Sequence, residues 1–217
     1  MVYAVYGPPC TNVDVDEKLS WECHIKSIKS RTSRVIRNLA RTASVLPLKS
    51  RRQLYDALVT PHFSYCDTVW GGLSGKLKDD LQKVGNFAAK SMLGMKKRDS
   101  ATEALLKLSM MPLEDKRTVH LAVFTHKLVN NIGPAQLVED YKSLRESRHN
   151  HFTRMTTRGD MKSLQHKTDR FERSTLQRAI KTWNNIPVEI RKIDSTSSFK
   201  RSFQAHLLTK FKENART

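Results

Sequence analysis

The sequence predicts a mainly α-helical protein: a helical bundle with a basic, partly irregular C-terminal region. Three observations carry this. Apolar residues recur at three- and four-residue spacing along most of the first 140 residues. Helix-cap signals stand where those stretches begin and end. Residues 141–168, by contrast, hold little apolar content and many basic, serine and threonine residues.

Taken in order, residues 1–13 fit no period and carry Gly7-Pro8-Pro9, which predicts an irregular leader. A long helix follows from about Trp21. Ile25, Ile28, Val35 and Leu39 form its apolar stripe, with Thr32 in the gap. Pro47 ends it or opens the next helix, residues 49–60, which turns Leu54, Tyr55 and Leu58 inward and is broken or kinked by Pro61. A third helix is expected from Lys76 to Leu93 along Leu77, Leu81, Val84, Ala88 and Met92, and Gly94 supplies its stop. Ser100-Ala-Thr-Glu103 is a capping box, and Pro112 sits where a first-turn proline belongs ahead of Leu113, Leu121, Phe124 and Leu128. A short piece restarts at Gly133-Pro134 and runs through Leu137. Helicity returns over 171–184 with Phe171, Leu176, Ile180 and Trp183, stops before Pro187, and resumes after the Ser195–Ser198 cluster with Phe199, Phe203 and Leu207. The expected organisation is a leader (1–13), a helical region (14–140), a basic loop or linker (141–168) and a helical C-terminal segment (169–217). At 217 residues there is room for one or two cored domains.

Charge bounds the function. Lys and Arg number 39 against 21 Asp and Glu, a formal +18. Residues 21–60 hold nine basic and two acidic residues, and 141–217 hold eighteen and seven. The stretch between, 101–140, is near neutral with four and five. Segregation of this kind points to a polyanionic partner more than to solubility alone. No acidic residue stands between Glu22 and Asp56. At about 100° per residue, Lys26, Arg34, Arg37 and Arg41 fall opposite the apolar stripe. With Lys29 and Arg31 they form a candidate phosphate-contacting face, which gives affinity without reading sequence. Arg154 and Arg158 belong to a second basic region, interleaved with His149 and Phe152 that could stack on bases; a disordered linker has the same composition.

Other chemistry is poorly represented. No run is long and apolar enough for a membrane span, and the N-terminal run is too short for a signal peptide. Three cysteines without close spacing imply no disulfide framework and suggest a reducing, intracellular setting, nuclear or cytoplasmic. P-loop, dinucleotide and nucleophile-elbow signatures are missing. The adjacent pair Asp79-Asp80 could in principle hold catalytic Mg²⁺, but Leu77, Leu81 and Val84 give it a helical period, so two first-turn carboxylates are the expected reading. Cys23-His24 and His62-x-x-x-Cys66 offer zinc-ligand types without a short Cys pair, and are read as packed thiols. His149-Asn150-His151 reads as exposed loop histidines. No cofactor and no metal site is implied.

The order of short motifs resembles a known family. Leu19-Ser20-Trp21 with His24-Ile25 and the basic helix comes first. Leu54-Tyr55-x-x-Leu58-Val59-x-Pro61-x-x-x-Tyr65-Cys66-x-x-x-Trp70-Gly71 follows, then Leu81-Gln82-Lys83-Val84 and Asn86-Phe87-Ala88-Ala89. Leu105-x-x-Leu108-x-x-x-Pro112-Leu113, Arg117, Lys127, Thr157-Arg158, Trp183-Asn184-x-x-Pro187 and Phe199-Lys200 complete the series. The set resembles the C-terminal, thumb and post-thumb region of LINE-type, jockey-like non-LTR retrotransposon reverse transcriptases, over about residues 14–210. The resemblance implies a non-catalytic helical piece of an RNA-directed DNA polymerase that contacts the backbone of RNA or DNA, above all a template–primer duplex, and abuts a palm domain. It implies no membrane contact and no catalytic residue, because the matching palm is absent. A helical protein-interaction module, docking on a palm-like partner or taken over by the host, is the alternative. Gly85 stands where that family more often has a side chain, and a mid-helix glycine should weaken the helix by roughly 1 kcal/mol.

Overall fold

The computed structural model describes residues 2–5, 13–145, 159–165 and 167–215. The described chain is mainly helical, as the periodicity predicts. A two-stranded antiparallel ribbon, β1 (Val2–Val5) and β2 (Val13–Asp16), precedes the helices, with Val2 opposite Asp16 and Val5 opposite Val13. The expected irregular leader is therefore part strand. Val13-Asp14-Val15-Asp16 does alternate apolar and acidic residues, the period of a strand with one covered face.

The helices are α1 (Glu22–Arg41), α2 (Leu48–Leu58), α3 (Thr60–Ser64), α4 (Asp67–Trp70), α5 (Gly75–Leu93), α6 (Ala101–Lys107), α7 (Leu113–Val129), α8 (Ala135–Arg145), α9 (Asp169–Glu172), α10 (Thr175–Asn184), α11 (Val188–Arg191) and α12 (Thr196–Asn214). Boundaries follow local chemistry. Pro47 caps α2, and Pro61 opens α3, where its missing N–H is not needed. Gly94 ends α5 in the left-handed region, φ 66°, its N–H bonded back to Ser91. The Ser100 side chain accepts the Glu103 N–H, half of the expected capping box. Thr168 and Ser174 cap α9 and α10 in the same way, so the helix expected over 171–184 is broken before Thr175, and Phe171, on the far side of the break, is 38% exposed.

The chain divides into two compact units: Met1–Lys116 with Lys210–Thr217, and Arg117–Thr209. This division differs from the one read from composition, which puts a boundary within 141–168. Val138, Tyr141 and Leu144 are buried at helical spacing, so α8 runs on to Arg145 instead of stopping near Leu137. Met161 is fully buried, and its backbone N–H and C=O both bond the Asn184 side chain. Composition hides such a segment, because one buried methionine and one asparagine clamp are enough to hold it.

In the first unit, α1 and α5 are the main packing pair. Ile25, Ile28, Ile36, Tyr55, Val59, Phe63, Trp70, Leu81, Val84 and Ala88 lie in one core, and Phe211 packs against it. Thr32 is fully buried and satisfies itself by donating to the Ile28 carbonyl at 2.6 Å. Ile36 sits deeper than Val35 or Leu39, so the inward arc of α1 is rotated slightly from the expected stripe. On α2, Leu58 points outward, 47% exposed, and Val59 takes its place. Gly85 is buried within α5 and faces Leu113. A Cβ there would stand 3.0 Å from the Leu113 side chain, so its bareness lets the start of α7 approach. The second unit packs Val119, Leu121, Ala122, Leu128, Ile180, Trp183, Ile186, Phe199 and Phe203 inward.

Candidate nucleic-acid interface

The basic helix is aimed from its N-terminus. Both Leu19 and Trp21 adopt positive φ, an unfavourable conformation for side chains of this size. Asp16 offsets the cost by accepting the N–H groups of Lys18, Ser20 and Trp21, each at 2.9 Å, and the Ser20 hydroxyl. Burial pulls the Asp16 pKa up, but these bonds together win and hold it below the usual value. His24 adds a second tie: its Nδ1 accepts the Asp14 N–H at 3.3 Å, and its ring meets Trp70 edge-on at 5.5 Å. The ribbon thus fixes how α1 leaves it.

Along α1, Lys26, Lys29, Arg31, Arg34, Arg37 and Arg41 are all exposed. They do not act as one group. Lys26, Arg37, Arg41 and Arg34 fall within roughly 80° of arc. None of these four pairs with a carboxylate among the described residues; the Arg37 Nε donates to the Ser33 carbonyl at 3.2 Å. Lys29 lies to one side and pairs with Asp80 at 3.4 Å. Arg31 lies to the other side, where its charge helps keep His24 and His62 below the ordinary imidazole value; burial is the larger cause for both.

Asp79 and Asp80 lie in the first turns of α5, as the helical period predicts. Asp80 takes Lys83 at 3.2 Å as well as Lys29, and the hydrogen bonds from these two lysines hold its pKa low. The Lys29 pair joins the first half of α1 to the first half of α5. Further along, Ile36 and Leu39 share a small crevice with Ala88 and Met92. The two helices therefore run parallel, and the outer face of α5 adjoins the basic face of α1. That face carries exposed Lys76, Lys83 and Phe87, with half-buried Lys90. Sequence reading passes over these residues, although Lys76, Lys83 and Lys90 recur every seven positions.

The expected packed thiols are instead exposed: both Cys23 and Cys66 face solvent, while the neighbouring His24 is buried. Cys23 falls just outside the inward arc of α1, and Cys66 lies at the junction of α3 and α4 in the left-handed region, φ 51°. The described residues contain no cluster of three metal-ligand side chains. Arg154 and Arg158, with His149, Phe152 and Cys10, lie outside the described residues. Trp183 is core and not a stacking platform. It is 3% exposed, donates to the Gly159 carbonyl at 3.1 Å, and lies beside His126 and Phe199. Among the described residues no helix is long and apolar enough to cross a membrane.

Comparison of the chain with family models, with curated proteins and with solved structures returned no match.

Proposed function

We propose that this chain is a non-catalytic nucleic-acid-binding piece of a non-LTR retrotransposon reverse transcriptase, contacting the backbone of RNA or DNA in the manner expected of a thumb region on a template–primer duplex. The observation that carries the reading is the exposed, carboxylate-free arc of Lys26, Arg34, Arg37 and Arg41 on α1. Four cations held on one rigid helix present a fixed row to phosphates and release counterions when they bind. The ordered motif series supports the parentage. No polymerase chemistry is proposed for the chain: its one adjacent aspartate pair is helical, and one member is tied to two lysines.

The test is a salt series on the full chain and an Arg34→Gln/Arg37→Gln/Arg41→Gln variant. Glutamine keeps helix propensity, so lost binding does not report a melted helix. Each lost phosphate contact lowers the slope of log K against log salt by roughly 0.9 on duplex DNA, so the variant should flatten it by about two to three. The loss should be similar for unrelated sequences. An unchanged slope in a folded variant would show that the arc is merely solvated.

A second reading, a helical protein-interaction module, draws on Leu58, Tyr65 and Val69, which are exposed along the stretch from the end of α2 to α4. It becomes the better account if the triple variant binds nucleic acid unchanged.

A further inference from the structure

The outer face shared by α1 and α5 carries cations at both ends and carboxylates at only one. At its N-terminal end stand the carboxylates: Asp79, exposed, and Asp80, bridged to Lys29 and Lys83. At its C-terminal end stand cations with no carboxylate partner among the described residues: Arg37 and Arg41 on α1, and Lys90 on α5, whose Nζ donates to the Lys97 carbonyl at 2.9 Å. Phe87 belongs to this cationic end. It lies seven residues beyond Asp80, about 10 Å along α5 and on nearly the same line. The same distance from Lys29 along the parallel α1 reaches the level of Arg37. There the residues that α1 turns toward α5 are Ser33 and Ala40, both small and half-buried, a lane of short side chains beside the ring.

Phe87 is 40% exposed, and in the first unit only Tyr65 is another exposed aromatic among the described residues. An apolar ring gains nothing from solvent, and a protein partner's apolar surface would have to bring Arg37, Arg41 and Lys90 out of water with it. A nucleobase satisfies both: its face covers the ring, and its flanking phosphates meet the cations. Every base has a π-face, so such a platform tolerates sequence. Within a duplex that face is already stacked on its neighbours, so the geometry selects an unpaired strand.

Resting on the nucleic-acid reading above, we infer that Phe87 is a base-stacking platform and that the lane between α1 and α5 takes single-stranded RNA or DNA, with Arg37, Arg41 and Lys90 on its phosphates.

The experiment measures anisotropy of a labelled oligothymidine, an abasic oligomer of equal length and a blunt duplex, each titrated with the full chain. The wild-type chain should hold oligothymidine more tightly than the abasic strand. Phe87→Leu, which keeps an apolar helix former, should weaken oligothymidine on the order of tenfold and leave the abasic strand and the salt slope unchanged. Phe87→Trp should keep or raise the affinity. Circular dichroism and thermal melting establish that each variant is folded. Equal binding of oligothymidine by Phe87→Leu and wild type overturns the inference, as does an equal loss on both strands. If the arginine variant flattens the salt slope while Phe87→Leu is silent, only the stacking platform fails. If neither variant changes binding, the nucleic-acid reading fails with it.

Discussion

Replacing Trp183 by alanine tests the second unit most directly. The indole is almost wholly enclosed, and its ring lies 6.3 Å from that of Phe199 and 6.4 Å from that of His126. Removing so large a buried side chain costs about 3–5 kcal/mol, the transfer term plus the cavity left behind. The lost hydrogen bond adds little, because the Gly159 carbonyl still accepts from Arg191 at 3.3 Å. Neighbouring rings cannot easily collapse into the space. His126 is pinned to the Ile193 carbonyl at 2.7 Å and stacked on Phe199 at 4.2 Å. Set against a total stability of about 5–15 kcal/mol for a domain, the loss removes a large share of what holds the unit folded. Urea titration followed by circular dichroism should show it. Hydrogen exchange should place the lost protection on α10 and on the Arg117–Thr209 portions of α7 and α12. A variant that keeps its midpoint but loses nucleic-acid binding would refute the packing argument and make Trp183 a surface platform.

Two further outcomes follow from the first unit. Gly85→Leu should destabilise by about 1–3 kcal/mol despite its better helix propensity, because the added chain meets Leu113 at the closest approach of α5 and α7; a raised melting temperature would mean that Leu113 yields freely. Burial keeps the folded His24 pKa below its unfolded value near 6.5, so the unfolded chain binds more protons in the window beneath that value and stability falls as pH drops through it. His24→Gln should reduce that dependence in pH-dependent melts, leaving the part due to His62, which burial also depresses. An identical pH profile for the variant would remove His24 from the account.

Legibility in the sequence tracks how local the determinant is. Helix period, the Gly94 stop and the Ser100 cap are written within a few residues, and each stands where the sequence puts it. Trp183, Phe199 and Phe203 are legible as core because each falls on an apolar stripe of its own helix. The outward turn of Leu58 and the inward turn of Val59 are not, since Pro61 restarts the helix and shifts the phase there. Ile36 and the buried His24 depend on which neighbours α1 meets, and no local period states that. The exposed cysteines escape a local reading too: Cys23 turns on a degree of helix rotation that its neighbours set, and Cys66 on the break between α3 and α4. The basic arc of α1 is exposed as its period predicts. The pairing of Lys29 with Asp80, and the nearness of Phe87, require the parallel packing of two helices separated by the whole of α2 to α4.

The first unit also has a consequence for synthesis. Its chain departs at Lys116 and returns at Lys210, and Phe211 closes against a core otherwise built from residues up to Leu113. A ribosome adds roughly 5–20 residues per second, so the Arg117–Thr209 insertion imposes a wait of roughly 5–20 s between most of that core and its last piece. During the wait the core shared by α1, α2 and α5 lacks Phe211. The second unit has no such gap and can complete itself first, although its residues emerge later. Order of appearance and order of completion are thus reversed in this chain.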